Sequence, residues 1–249
     1  VFLNEPARTS YDLNFSVLGI PVRVHPLFWL VSLILGSGGG GRDLMLPVLW
    51  VLAVFVSVLA HELGHALVIR HFGAQPWITL YGMGGLASAS GGRRTPQQQI
   101  IISAAGPLTG IVFAVLIVAV IAASGHPIRV DWRSLPGVPV RMSPFHDERL
   151  GHLVFALLFC NFFWSLVNLL PVLPLDGGQI SREVCQLLNP REGLRTALLI
   201  SMVVAAGMAV YALKMQSVYT ALLFGVLAYD SYTAMEGLSG RGGGFGGRW

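Results

Sequence analysis

Charge is scarce in this chain. Of its 249 residues 16 are Lys or Arg and 12 are Asp or Glu, 11% in all, while 54% are hydrophobic; a soluble domain ordinarily has about a quarter of its residues charged. The shortage excludes a solvated surface over most of the molecule and points to an integral membrane protein. Lysine is nearly missing, with Lys214 the single example, so the net charge of +4 comes from arginines scattered through the connections. They form no dense patch of the kind nucleic acid requires, and no nucleic-acid partner is expected. Cysteine is rare too. Cys160 and Cys185 cannot make a disulfide framework and lack metal-type spacing, so both are read as small core residues. Residues 1–24 lack a charged n-region followed by an apolar h-region and a small-residue cleavage site, so a cleavable signal peptide is not expected.

Long apolar runs are plentiful, and several reach the roughly 20 residues that cross a hydrocarbon core. Six crossings are expected, at about His25 to Gly36, Leu44 to His71, Gln97 to Ala123, Leu150 to Leu170, Leu194 to Leu213 and Val218 to Met235. The first is short and stops at the glycine run Gly38 to Gly41, which suits a flexible or re-entrant turn. An amino-terminal segment, residues 1–24, ends in the alternating β-like stretch Phe15 to Val24. Trp77 to Tyr81 is β-like and Gly82 to Ser90 is rich in Gly, Ala and Ser, which suits a hairpin better than a helix. Residues 124–149 hold four prolines and read as an irregular loop, and residues 236–249 as a glycine-rich, disordered tail. The fold class expected is an all-α polytopic membrane protein, residues 25–235, with a membrane-associated β-hairpin.

The second run carries His61-Glu62-Leu63-Gly64-His65, an HExxH pattern, where a bilayer-spanning helix is expected. An ionisable residue inside a membrane helix is costly and marks a functional site by default. Residues four apart lie about 40° from one another around a helix and one turn apart along it. His61 and His65 can therefore offer two imidazoles to one ion, with Glu62 beside it. In HExxH hydrolases the metal polarises the carbonyl under attack and activates water, and the glutamate takes the proton. An inert polar cluster is the alternative, and it would leave three polar groups in lipid. His25, His71, His126, His146 and His152 fall at span ends or in loops, and none is expected to be a ligand. Asp230, late in the last run, is read as a water-facing or paired end residue.

A catalytic zinc site takes three protein ligands and keeps a fourth position open. The best candidate for the third is Asp176, in Asn168-Leu169-Leu170-Pro171-Val172-Leu173-Pro174-Leu175-Asp176-Gly177-Gly178, where two prolines break the fourth run just before a carboxylate. Broken helix ends at membrane depth are tolerated only where protein buries them or a watery cavity is lined. Asp is also a favoured helix N-cap, and the two roles are compatible.

Together these residues resemble the site-2 protease family of intramembrane zinc metalloproteases. The likeness is carried by HELGH at 61–65, Gly84-Gly85, Ala105-Gly106-Pro107-Leu108 and NLLPVLPLDGG at 168–178, and covers about Gly19 to Ile180. It implies a three-helix catalytic core over about residues 44–180 and one Zn2+ per chain, held by His61, His65 and Asp176. It also implies Glu62 as general base, Asn168 as a polar residue near the scissile peptide, and a transmembrane protein as substrate. The hairpin, through Gly84, Gly85 and Leu86, is expected to pair with an unwound substrate strand. Blander readings stand beside these: Asn168 as interhelical glue, and Gly84 and Gly85 as turn formers. The family often has Asn shortly after its Gly-Pro pair; Thr109 and Gly110 stand there in this chain, so no role follows for them.

The function expected is an intramembrane zinc endopeptidase that hydrolyses a peptide bond in or near a substrate's transmembrane segment. A metal or proton transporter would spread ionisable residues along several spans, whereas here they gather in two segments. A zinc-binding scaffold without turnover would have no need of Glu62. The expected location is a bacterial cytoplasmic membrane, crossed several times, with both termini cytoplasmic, because that orientation puts most of the arginines inside. The oligomeric state has no signature in the sequence.

Overall fold

The computed structural model describes residues 6–36, 43–82, 84–91, 94–130, 140–142 and 145–239. The expected glycine turn at 38–41 and most of the glycine-rich tail lie outside them. The described residues are mostly helical, and among them four helices are long and apolar enough to cross a membrane: Met45–His71, Pro96–Ala123, Glu148–Asn168 and Gly193–Lys214. The chain divides into two compact units, residues 1–93 with 105–167, and residues 94–104 with 168–249.

The first unit is built on a sheet larger than the expected hairpin, so all-α is too simple a description. Strands β1 (Leu13–Val17) and β2 (Ile20–Val24) pair antiparallel. Leu18 and Gly19 join them with φ of 53° and 76°, the two positive values that a tight two-residue hairpin turn requires. The chain then passes through α1 (Pro26–Gly36) and α2 (Met45–His71) and returns as β3 (Gln75–Tyr81) and β4 (Gly84–Ser90). β3 lies parallel to β2, Val22 opposite Ile78, and antiparallel to β4, so the order is β1-β2-β3-β4. A parallel pair needs a crossover, and here α1 and α2 supply it.

One face of that sheet is the core of the unit. Ile20, Val22, Val24, Ile78 and Leu80 are buried with Phe28 of α1 and Ala66 of α2, and Leu63 and Leu67 pack beside them. Ala66 is the small residue that lets the sheet lie close to the helix. α1 is 11 residues, roughly 16 Å at 1.5 Å per residue, about half a hydrocarbon core. His25 begins it, with Nδ1 accepting from Leu27 N–H and its carbonyl from Phe28 N–H.

α3 (Pro96–Ala123) carries Pro107 inside it and runs from the second unit into the first. Its later part packs on α4 (Glu148–Leu158) through Ala114, Ile121, Val154 and Leu158. Between them residues 128–130 and 140–142 form strands β5 and β6, a small antiparallel pair, where an irregular loop was expected. α4 continues through a single π turn, Phe159–Phe163, into α5 (Trp164–Asn168). In the second unit α6 (Asp176–Leu188), α7 (Gly193–Lys214) and α8 (Val218–Ser239) follow. α8 is as long as α7 but carries Asp230 and Glu236 in its second half, and Asp230 is exposed, as expected of a span-end residue. Cys160 and Cys185 are free and half-buried.

Candidate active site

Consecutive residues of a helix point about 100° apart, and this separates the jobs of α2. His61 and His65 lie on one face, Glu62 and Ala66 on the next. The two imidazoles stand edge to face, 77° between planes, with their Nε2 atoms 3.1 Å apart. Two imidazole nitrogens on one tetrahedral zinc at about 2.0–2.1 Å would be separated by roughly 3.3 Å. The pair therefore fits a shared metal, and neutral imidazole is the donor zinc takes. His65 is buried and His61 half-buried.

The neighbours come closest where they are glycines. A Cβ built on Gly106 of α3 would collide with Nε2 of both His65 and His61, and one on Gly64 would strike Ala105 O and Thr109 Oγ1. α2 and the mid-part of α3 thus meet backbone to backbone beside the imidazoles. On the adjacent face a Cβ on Gly85 of β4 would overlap Cγ and Oε1 of Glu62, which is only 6% exposed. The hairpin therefore lies directly against the candidate general base. Tyr81, which ends β3, is buried there as well; burial first and the charge of Glu62 second raise its phenol pKa above the ordinary value.

The other sequence candidates fall as follows. Gly84 opens β4 at φ +121°, a backbone that side chains rarely adopt, and pairs with Tyr81; Leu86 is half-buried opposite Thr79. β4 is the outer strand of the sheet as described. Asn168 closes α5 and is half-buried. Asp176 is the first residue of α6, half-buried; Leu175 occupies the cap position and no side chain caps it, so the capping role is not taken. Gly177 and Gly178 sit on the backbone of Leu169, Leu170, Val172 and Leu173, where any Cβ would collide.

Several residues near the site carried no sequence signal. Gly106 was visible only as part of a resemblance. Thr109 and Gly110, without an assigned role, prove to be packing positions: Thr109 Oγ1 donates to Ala105 O at 2.8 Å beside Gly64, and Gly110 leaves room for Ser165. Asn161, in the π turn and 1% exposed, donates Nδ2 to Ser57 Oγ at 2.7 Å and to Leu157 O at 2.8 Å. Ser57 is one turn before His61 on α2. π turns recur at functional sites, but no local pattern in the sequence announced this one.

A membrane helix that presents paired imidazoles and a buried carboxylate is the hallmark of a membrane-embedded metallopeptidase. The family model of peptidase family M50 matches residues 49–211, and the chain belongs to that family. A Synechocystis protein named as a zinc metalloprotease is 32% identical over 195 residues, 74% of this chain and 45% of its own length. The zinc metalloprotease MJ0392 of Methanocaldococcus jannaschii is 29% identical over 181 residues, 70% and 46% respectively. This chain therefore spans less than half the length of those relatives. Among solved structures the site-2 protease from Methanocaldococcus jannaschii shares the fold, with a TM-score of 0.58, 22% identity, and coverage of 90% of this chain and 95% of that one. The resemblance read from HELGH and LPLDGG is thus borne out, and the relatives' names agree with a zinc cofactor.

Proposed function

We propose that this chain is the catalytic part of an intramembrane zinc endopeptidase acting on a transmembrane protein. The observation that carries the reading is the placement of two imidazole nitrogens 3.1 Å apart, with a buried glutamate on the adjoining face, in a helix of mean hydropathy 2.0. Bound zinc supplies a Lewis acid that polarises the scissile carbonyl and makes water acidic enough to be deprotonated near neutral pH. His61, His65 and Asp176 hold it, Asp176 being fixed at the start of α6 by the glycines that follow. Glu62 takes the proton of the attacking water on its carboxylate and returns it to the departing amine nitrogen.

The substrate is held by Asn168 and by β4. A helical peptide bond is shielded, so the substrate segment unwinds and pairs with the outer edge of β4 at Gly84, Gly85 and Leu86, which supplies main-chain partners that lipid cannot. Successive N–H groups of a strand face opposite edges, so of Leu86→Pro and Ala87→Pro one removes an outward donor. Neither loses zinc, and unchanged cleavage by both would reduce the hairpin to a connection. Transport is disfavoured because, in the four apolar helices, the charged or imidazole side chains away from the ends are His61, Glu62 and His65 alone.

α1 and α8 complete six crossings, the shortness of α1 being met by local thinning of the bilayer. The membrane is the bacterial cytoplasmic one, with both termini on the cytoplasmic side. With Cys160 and Cys185 removed, His71→Cys and Ala123→Cys then label from opposite faces; labelling from one face overturns the topology. The activity is tested by Glu62→Gln, which should keep zinc and lose cleavage of a tagged transmembrane substrate. Cleavage near the wild-type rate would remove Glu62 from the mechanism.

A further inference from the structure

Between α5 and α6 the backbone is irregular. Pro171 and Pro174 have no N–H. Val172 N–H donates to Leu170 O at 2.7 Å and Leu175 N–H to Val172 O at 2.8 Å. Leu173 N–H finds its partner outside the segment, in Ser201 Oγ of α7 at 2.8 Å.

Ser201 is fully buried and lies 2.7 Å from Ser231 Oγ of α8, which in turn lies 2.9 Å from Leu227 O. A serine hydroxyl has a single proton to give. Ser231 gives its proton to the Leu227 carbonyl, which cannot reciprocate, so the proton between the serines belongs to Ser201. The direction of the whole chain is thereby fixed: Leu173 N–H to Ser201, Ser201 to Ser231, Ser231 to Leu227. Every hydroxyl both accepts and donates, and no buried partner is left over.

We infer that Ser201 and Ser231 are positioning residues for Asp176: the helical pair α7 and α8 fixes the segment that carries the proposed third zinc ligand through this one-way chain of hydrogen bonds. The tie acts three residues before Asp176, on the same Val172 and Leu173 backbone that Gly178 rests upon. Two helices beyond the catalytic motifs then control how well the carboxylate is held, and a movement of either is felt at the metal. The inference rests on Asp176 being a ligand.

The experiment measures zinc release from the purified holoprotein to an excess of chelator, together with kcat and KM for a tagged transmembrane substrate. Ser201→Ala leaves Leu173 N–H without an acceptor, and zinc release should quicken more than tenfold, with kcat reduced and KM little changed. Ser201→Thr, which keeps the hydroxyl, should restore both. Ser231→Ala should act more weakly, because Ser201 can turn its proton to the carbonyl one turn back and still accept from Leu173. Leu198→Ala, a buried apolar truncation on the same helix, should lower thermal stability without quickening release. If Ser201→Ala fails to fold, Ser201→Cys, a weak acceptor, is read in its place.

Asp176→Asn separates the two ideas. Zinc held as tightly in Asp176→Asn as in wild type would overturn Asp176 as ligand and the inference with it. Zinc lost from Asp176→Asn but released at the wild-type rate from Ser201→Ala would overturn the serine tie alone, as would Leu198→Ala matching Ser201→Ala.

Discussion

Around the HExxH turn of α2, polar side chains are placed by what their neighbours lack: Gly106 stands against both imidazoles and Gly85 against Glu62, each with no Cβ to spare. Between Asn168 and Asp176 a second means is added. There the backbone is irregular, and beside the close approach of Gly177 and Gly178 its position also comes from what a neighbour supplies, a serine hydroxyl to Leu173 N–H. Steric placement is intolerant, because a close-packed interior cannot make room for one methyl without displacing something. Placement by hydrogen bonds is graded, since a hydroxyl can be replaced or re-aimed at modest cost. The two regions should therefore answer substitution on different scales, and the first should also separate metal from base.

Gly106→Ala should be the most damaging change. Its methyl would have to displace Nε2 of both His65 and His61, and zinc affinity should fall at least tenfold, about 1.4 kcal/mol, with cleavage lost alongside. Metal analysis on the purified variant decides it; stoichiometric zinc at unchanged affinity would show that the helices can part. Gly85→Ala is the sharper test, because its methyl meets Glu62 alone. Zinc should remain, and kcat should drop by roughly a hundredfold, the low end of a general base's contribution. If Gly85→Ala loses zinc as Gly106→Ala does, the two faces of α2 are not independent.

The sequence makes some of this legible and hides the rest for definite reasons. The apolar length of α2, the HExxH spacing, the hairpin turn and the proline-broken run before Asp176 are local patterns, and periodicity or composition exposes them. The parallel pairing of Val22 with Ile78 joins strands separated by two helices, and nothing local encodes it. Gly106 matters only because α3 packs where it does. Ser57, Ser201 and Ser231 read as small residues in apolar helices until their partners are known. Lengths are only partly legible: α1 was seen to be short, whereas α8 had the length of a span but less of its hydropathy.

A hydrogen-bonded seam also exists beside the steric one. Ser57→Ala removes one acceptor from Asn161, whose Nδ2 keeps Leu157 O, so the loss should be about 1 kcal/mol and the thermal midpoint should fall by about 2–4 °C. Zinc content should not change. Zinc lost in proportion to stability would mean that the π turn positions His61 as well, and the first region would then use both means at once.

The smallest effect concerns the sheet's outer anchor and appears only in acid. Asp12 accepts from Thr9 Oγ1 at 2.6 Å, from Thr9 N–H at 3.1 Å and from Arg23 Nη1 at 3.1 Å. The Thr9 hydroxyl leads in holding its pKa down to about 2, from 3.8 for an ordinary carboxyl, with Arg23 adding to it. A folded pKa below the unfolded one gives stability that is fully present above the unfolded value and is lost as pH falls through the folded one. Wild type should therefore lose thermal stability between about pH 4 and pH 2, and Asp12→Asn should be less stable at neutral pH and flatter over that window. Some slope should survive in the variant, because Arg149 lowers Asp43 in the same direction. Any acid effect that the two proteins share cancels in their difference, which isolates Asp12. At neutral pH Asp12→Asn should keep its zinc and its kcat. A variant that lost them would show that β4 holds Glu62 only as firmly as β1 and β2 are anchored, and that steric placement at Gly85 depends on a charge at the far side of the sheet.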